Sequence, residues 1–251
     1  MKIGLCAALE QAETAKALGF DYLEASAAAF GSMEEQAFGE ALARVKDAGL
    51  PVLRCNCLFP GEISLMEDGM DRIAAWLQKA MARAGRLGAE TVVFGSGRSR
   101  TRHGNMSYPE AMRRLIRVAR LAGDCAKANG IRIAMEPLNA GETNMLNTLA
   151  ETAAFAVAAE HPAVGLLADY YHIAMTGEPP EDLLRLSPLW HVHVAAAQGR
   201  RWPVEPEEGL AHFLGALRQS GYDGTVSVEA SSDNWAEDAP RTLRLLRDMT
   251  A

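Results

Sequence analysis

Short apolar runs recur along the chain, each followed by a longer stretch in which apolar positions return every three or four residues. The runs are residues 2–6, 22–26, 52–59, 91–96, 132–138, 164–170, 190–195 and 225–231. Runs this short read as strands. The intervening stretches, such as 68–87, 107–129, 148–159, 206–220 and 236–249, read as amphipathic helices. Strand–helix alternation implies parallel strands joined by right-handed crossovers, and eight such units can close on themselves without leaving an open edge. The pattern therefore predicts a single (β/α)8 barrel, a TIM barrel, over residues 1–251. A doubly wound sheet is the alternative. It would usually carry a GxGxxG turn after an early strand, whereas GSGRSR at 95–100 follows the fourth strand with different spacing.

Helix punctuation agrees with the barrel. Gly19, Gly49, Gly88, Gly130 and Gly221 each follow a helical run and precede a strand, where a left-handed cap costs glycine least. At 251 residues, 49% hydrophobic and 23% charged, the chain can bury one sizeable core and gives no sign of disorder. A formal net charge of −7 disfavours nucleic acid as a partner. The N-terminal segment lacks a signal-peptide pattern and no apolar run approaches the ~20 residues of a membrane span, so a cytoplasmic protein with no membrane partner is expected. Cys6, Cys55, Cys57 and Cys125 form no CxxC pair and read as reduced thiols; Cys55 and Cys57 share one strand face, where they could line a pocket, with packing the favoured role.

In barrels of this kind chemistry is built at the C-terminal ends of the strands, so the last inward residue of each strand is the place to search. Period-two parity points Ile131, Ile133 and Met135 toward the helices and Glu136 inward. The eighth strand repeats this with Val226 and Val228 outward and Thr225, Ser227 and Glu229 inward. Asp169 is the inward end of the sixth strand, and His191 and His193 are the inward pair of the seventh. Three carboxylates converging on one spot repel one another, which a divalent cation relieves. Oxygen ligands with one imidazole suit Mn²⁺, Mg²⁺ or Co²⁺, and Zn²⁺ is compatible with the same set; one Mn²⁺ is the expectation. His191, deeper than His193, reads as a core histidine held by a hydrogen bond.

Four segments, AMEPLNAGETN (134–144), ADYYHI (168–173), HVHVAAAQGRR (191–201) and SVEAS (227–231), resemble the xylose isomerase-like barrel superfamily in order and separation. Within it they are most similar to the sugar isomerase and epimerase branch that holds ketose 3-epimerases and hydroxypyruvate isomerases. The resemblance implies metal ligation by Glu136, Asp169, His193 and Glu229, with Glu136 and Glu229 doubling as an acid/base pair. It implies that Glu142, His172 and Arg200 bind a small sugar-like substrate. The implied chemistry is proton transfer next to a carbonyl through an enediolate, giving epimerisation or isomerisation according to where the proton returns. Related dehydratases share the first step. An AP endonuclease-like phosphodiesterase would need extra histidines at the third and fourth strand ends, where this chain has Asn56, Cys57 and Gly95. A nonenzymatic sugar-binding barrel is disfavoured by the presence of both glutamates.

Two further features shape expectations. Arg98, Arg100, Arg102 and His103 crowd the loop after the fourth strand, which would suit an acidic or phosphorylated substrate. A salt-bridged subunit interface would explain them equally. The family resemblance and the candidate exposed residues Trp202 and Trp235 suggest a homo-oligomer.

Overall fold

The computed structural model describes residues 1–186 and 188–250. Strands β1 (Lys2–Cys6), β2 (Tyr22–Ser26), β3 (Val52–Asn56), β4 (Thr91–Phe94), β5 (Arg132–Met135), β6 (Val164–Asp169), β7 (Leu189–Val194) and β8 (Thr225–Val228) pair in parallel in chain order. Strand β8 returns to β1 and closes the barrel, so no edge is left to template aggregation. The helices are α1 (Ala12–Ala17), α2 (Ala27–Ser32), α3 (Glu35–Ala48), α4 (Met70–Leu87), α5 (Gly97–Arg100), α6 (Tyr108–Ala128), α7 (Leu149–Ala159), α8 (Tyr170–Thr176), α9 (Glu208–Gln219) and α10 (Trp235–Thr250). Gly19, Gly49, Gly88, Gly130 and Gly221 all adopt positive φ, as their helix-ending positions predict.

Several strands stop short of their apolar runs, and the reasons are local. Cys57 and Ser96 turn into the left-handed region with φ of 47° and 46°, which breaks period two just past β3 and β4. Pro137, lacking an N–H, follows Glu136 and ends the ladder of β5. The turn after β3 also separates the two cysteines expected on one face: Cys55 is buried against the helices, whereas Cys57 lies beyond the strand and lines a cavity.

Alternation divides the side chains into two populations. Outward residues such as Ile3, Leu23, Val92, Ile133, Val192 and Val226 join the helix faces in one continuous apolar core. Inside the barrel, Val93, Ala134 and Leu167 form a small separate cluster, and the remaining space is polar. The Tyr22 hydroxyl meets Ser227 Oγ at 2.7 Å across the interior. A Cβ on Gly4 would stand 2.2 Å from the Tyr22 ring, so glycine there makes room for the ring. Among the described residues no helix is long and apolar enough to cross a membrane.

Candidate active site

The residues that end β5 to β8 converge at the C-terminal mouth of the barrel. Glu136, Asp169, His193 and Glu229 offer four ligand atoms lying within 4.8 Å of one another. His193 Nδ1 is 3.1 Å from Glu136 Oε1 and 3.4 Å from Glu229 Oε2. Glu136 fits because Gly95 has no side chain: a Cβ there would be 2.0 Å from Glu136 Oε2. The four ligands expected from strand parity are thus brought together by the fold.

The electrostatics of this cluster suit a cation. Burial, reinforced by Glu136 and Glu229, pushes the Asp169 carboxyl up to about 7. Burial also raises Glu136. Burial opposes ionisation of Glu229 too, but His193 and Arg200 outweigh it and hold that carboxyl down at about 2. The Arg200 guanidinium bonds to Glu229, donates to Glu142 Oε1 at 3.0 Å and stands 3.5 Å from Asp169 Oδ2. A positive charge is therefore already drawn into the carboxylate ring, and three carboxylates with one imidazole nitrogen suit a divalent ion there. Arg200 reaches inward from a left-handed backbone, φ 50°, uncommon for a non-glycine residue and frequent where function over-determines geometry.

His172, on α8 three residues after Asp169, is buried at the rim. Its Nδ1 accepts from the Asn139 amide N–H at 3.0 Å, so the ring hydrogen resides on Nε2. That Nε2 has no hydrogen-bond partner among the described residues and lies 3.7 Å from Asp169 Oδ2 and 3.9 Å from Glu142 Oε1. Burial, then Arg200, pushes His172 down to about 3, so the ring is neutral and presents one unsatisfied donor to the site. Glu142 is exposed beside it, paired with Arg200. Of the seven expected site residues, Glu136, Glu142, Arg200 and Glu229 line one cavity, and Asp169, His172 and His193 lie within 4 Å of one or more of them.

That cavity has a volume of about 450 Å³ and is lined by Cys57, Gly97, Glu136, Glu142, Arg200 and Glu229 among others. A larger groove of about 810 Å³ runs along the outer face of α6, and Glu110 is the one carboxylate among the residues that line it. The convergent chemistry makes the smaller cavity the candidate site.

The basic loop departs from expectation. Arg100 is fully buried, and its guanidinium donates to the carbonyls of Phe94 (3.3 Å), Glu136 (2.8 Å) and Leu146 (3.3 Å). It is a structural strut beneath Glu136, with three of its donors spent on main-chain carbonyls. Arg102 donates to the Met106 carbonyl at 2.8 Å, while Arg98 and His103 are exposed. Trp202 departs as well: it is 2% exposed, packed between Phe20 and Trp235.

Two neighbours of the cluster are not among the expected site residues. Asn56, ending β3, donates to Glu229 Oε1 at 3.4 Å. Glu24, in β2, is wholly buried with one carboxylate oxygen 2.9 Å from His193 Nε2 and the other 2.7 Å from His191 Nε2. Its signal in the sequence is a charged residue at an inward position of the apolar run YLEAS.

Comparison with known proteins agrees with this architecture. The chain is 27% identical over 250 residues to the 3-dehydro-D-guloside 4-epimerase of Escherichia coli, covering 94% of this chain and 91% of that protein. It is 27% identical over 158 residues to a 3-dehydroshikimate dehydratase of Pseudomonas putida, covering 54% of this chain but only 25% of that much longer protein. The crystal structure of a D-psicose 3-epimerase in the presence of D-fructose superposes with a TM-score of 0.85 at 21% identity, covering 100% of this chain and 99% of that one, a likeness of fold. Residues 12–249 match the profile of one family across nearly the whole barrel, and the chain belongs to it: the xylose isomerase-like TIM barrels.

Proposed function

We propose that the chain is a divalent-metal-dependent epimerase or isomerase of sugars or related hydroxycarbonyl compounds, with Mn²⁺ as its ion. The observation that carries the reading is the ring of Glu136, Asp169, His193 and Glu229 at the mouth of the barrel, open to a cavity of about 450 Å³. A near full-length relative that is an epimerase supports the reaction class. A bound divalent ion supplies Lewis acidity, which makes the C–H beside a sugar carbonyl more acidic.

The protein groups then divide the work. Glu229, held ionised, is ready to accept a proton from carbon, whereas Glu136, raised by burial, holds a proton more readily. The two reach the ring from β5 and β8, so a substrate between them can lose its carbon-bound proton to one glutamate, and the planar enediolate left behind can take a proton from the other on the opposite face. The His172 Nε2–H donates to a substrate hydroxyl, and Arg200 turns from its carboxylates toward substrate oxygens.

The test combines metal removal with isotope incorporation. Metal-free protein should be inactive on free ketoses, beginning with D-fructose, and on 3-keto glycosides, and added Mn²⁺ should restore turnover. In D₂O the product should carry deuterium at the reacting carbon, and Glu136→Gln or Glu229→Gln, checked for metal content, should suppress turnover by roughly 10²–10⁴-fold. Activity persisting after verified metal removal would sink the metal reading, and product free of deuterium would replace proton transfer with a hydride shift. The similarity to a 3-dehydroshikimate dehydratase gives a second reading, in which the same proton abstraction ends in loss of water. A product lighter by one water decides for it.

A further inference from the structure

Behind His193 a line of polar groups runs through the barrel interior toward the opposite end. Arg54 pairs with Glu90 at 2.7 Å, and its Nε donates to Thr225 Oγ1 at 2.9 Å. Thr225 Oγ1 lies 2.8 Å from His191 Nδ1, His191 Nε2 lies 2.7 Å from Glu24 Oε2, and Glu24 Oε1 lies 2.9 Å from His193 Nε2. Donor counting fixes the directions. An ionised carboxylate only accepts, so both imidazoles present Nε2–H to Glu24. The Thr225 hydroxyl accepts from Arg54 and keeps its own hydrogen for His191 Nδ1.

We propose that Glu24 is a positioning residue for the metal centre. Its carboxylate fixes His193 as the Nε2–H tautomer, aims Nδ1 at Glu136, Asp169 and Glu229, and makes that nitrogen a stronger ligand by standing a full negative charge behind the ring. His191 holds Glu24 in turn, and Thr225 with Arg54 holds His191. This role rests on the reading of His193 as a metal ligand. Burying a carboxylate is costly unless its partners satisfy it, and both of its oxygens here are engaged by imidazoles that are themselves buried.

Glu24→Gln separates charge from packing. The Gln amide oxygen can still accept from His193. The Gln amide N–H₂ can donate to His191 Nε2 if that ring moves its hydrogen to Nδ1, where the Thr225 carbonyl waits at 3.0 Å. The variant should therefore fold, while its Mn²⁺ affinity, measured by calorimetry on metal-free protein, should fall about 10–100-fold. Glu24→Asp, which keeps the charge but shortens its reach, should lose less than Glu24→Gln. Long-range ¹H–¹⁵N spectra of the Mg²⁺-loaded wild type should report His193 as the Nε2–H tautomer. A folded Glu24→Gln that binds Mn²⁺ as tightly as the wild type overturns the positioning role and leaves the metal reading standing. A wild type that binds none of Mn²⁺, Mg²⁺, Co²⁺ or Zn²⁺ removes both. If the Gln variant does not fold, Glu24→Asp decides: wild-type affinity in a variant whose spectra show His193 no longer bonded to residue 24 overturns the proposal.

Discussion

His172 illustrates how much one hydrogen's position decides. Its Nδ1 is occupied as an acceptor by the Asn139 amide, so only Nε2 can donate, and that donor has no partner among the described residues. A buried donor without a partner costs about 1–3 kcal/mol, which a substrate oxygen would recover. His172→Asn retains an acceptor near the Nδ1 position and removes the Nε2–H. It should lower kcat/KM by roughly 10–100-fold while leaving Mn²⁺ affinity within about twofold, since His172 is outside the ligand ring. Steady-state kinetics beside a metal titration check this, and an unchanged kcat/KM would remove His172 from substrate binding.

Among elements, the short helix α5 and its loop carry the largest difference between appearance and role. In sequence, Arg98, Arg100 and Arg102 form one basic cluster; in the fold they diverge. Arg100 turns inward and ties together the ends of β4 and β5 and the segment around Leu146 through three carbonyls. Arg100→Ala would strand those carbonyls and should destabilise the protein by about 3–5 kcal/mol, with Glu136 displaced and activity lost. Arg98→Ala, at an exposed position, should change stability by less than about 0.5 kcal/mol. Urea unfolding of the two variants is the measurement, and similar losses for both would contradict the division of roles.

Taken as a whole, the barrel gathers three carboxylates at one end, and a metal bound there would relieve their repulsion. Folding raises Asp169 from 3.8 to about 7, so the folded, metal-free chain binds that proton more tightly than the unfolded chain. The stability this group lends is present below the ordinary carboxylate range and lost as pH climbs through 7. A metal must displace the same proton, so Mn²⁺ affinity should increase from about pH 6 to about pH 8, with proton release on binding. At about pH 8, Mn²⁺ at roughly a hundred times its Kd should add about 2.7 kcal/mol, a rise in Tm of roughly 5–10 °C. A melting temperature indifferent to Mn²⁺ would count against the site.

Whatever obeys a short period is legible in the chain without its fold. Eight apolar runs alternating with amphipathic stretches specify the barrel, because strand and helix faces repeat every two or 3.6 residues and eight parallel strands have one way to lose their edges. The same parity aims Glu136, Asp169, His193 and Glu229 inward with no reference to any partner. Features that depend on distant partners are settled only by the folded arrangement. Glu24 meets imidazoles 167 and 169 positions away, and no local pattern announces them. Arg100 is a strut because three carbonyls surround it, although its residue type and its neighbours in sequence suit an anion site equally well. Trp202 is core only because Phe20 and Trp235 close around it. Local period fixes which way a side chain faces; closure of the barrel fixes what it meets there, and charge, tautomer and burial follow from that meeting.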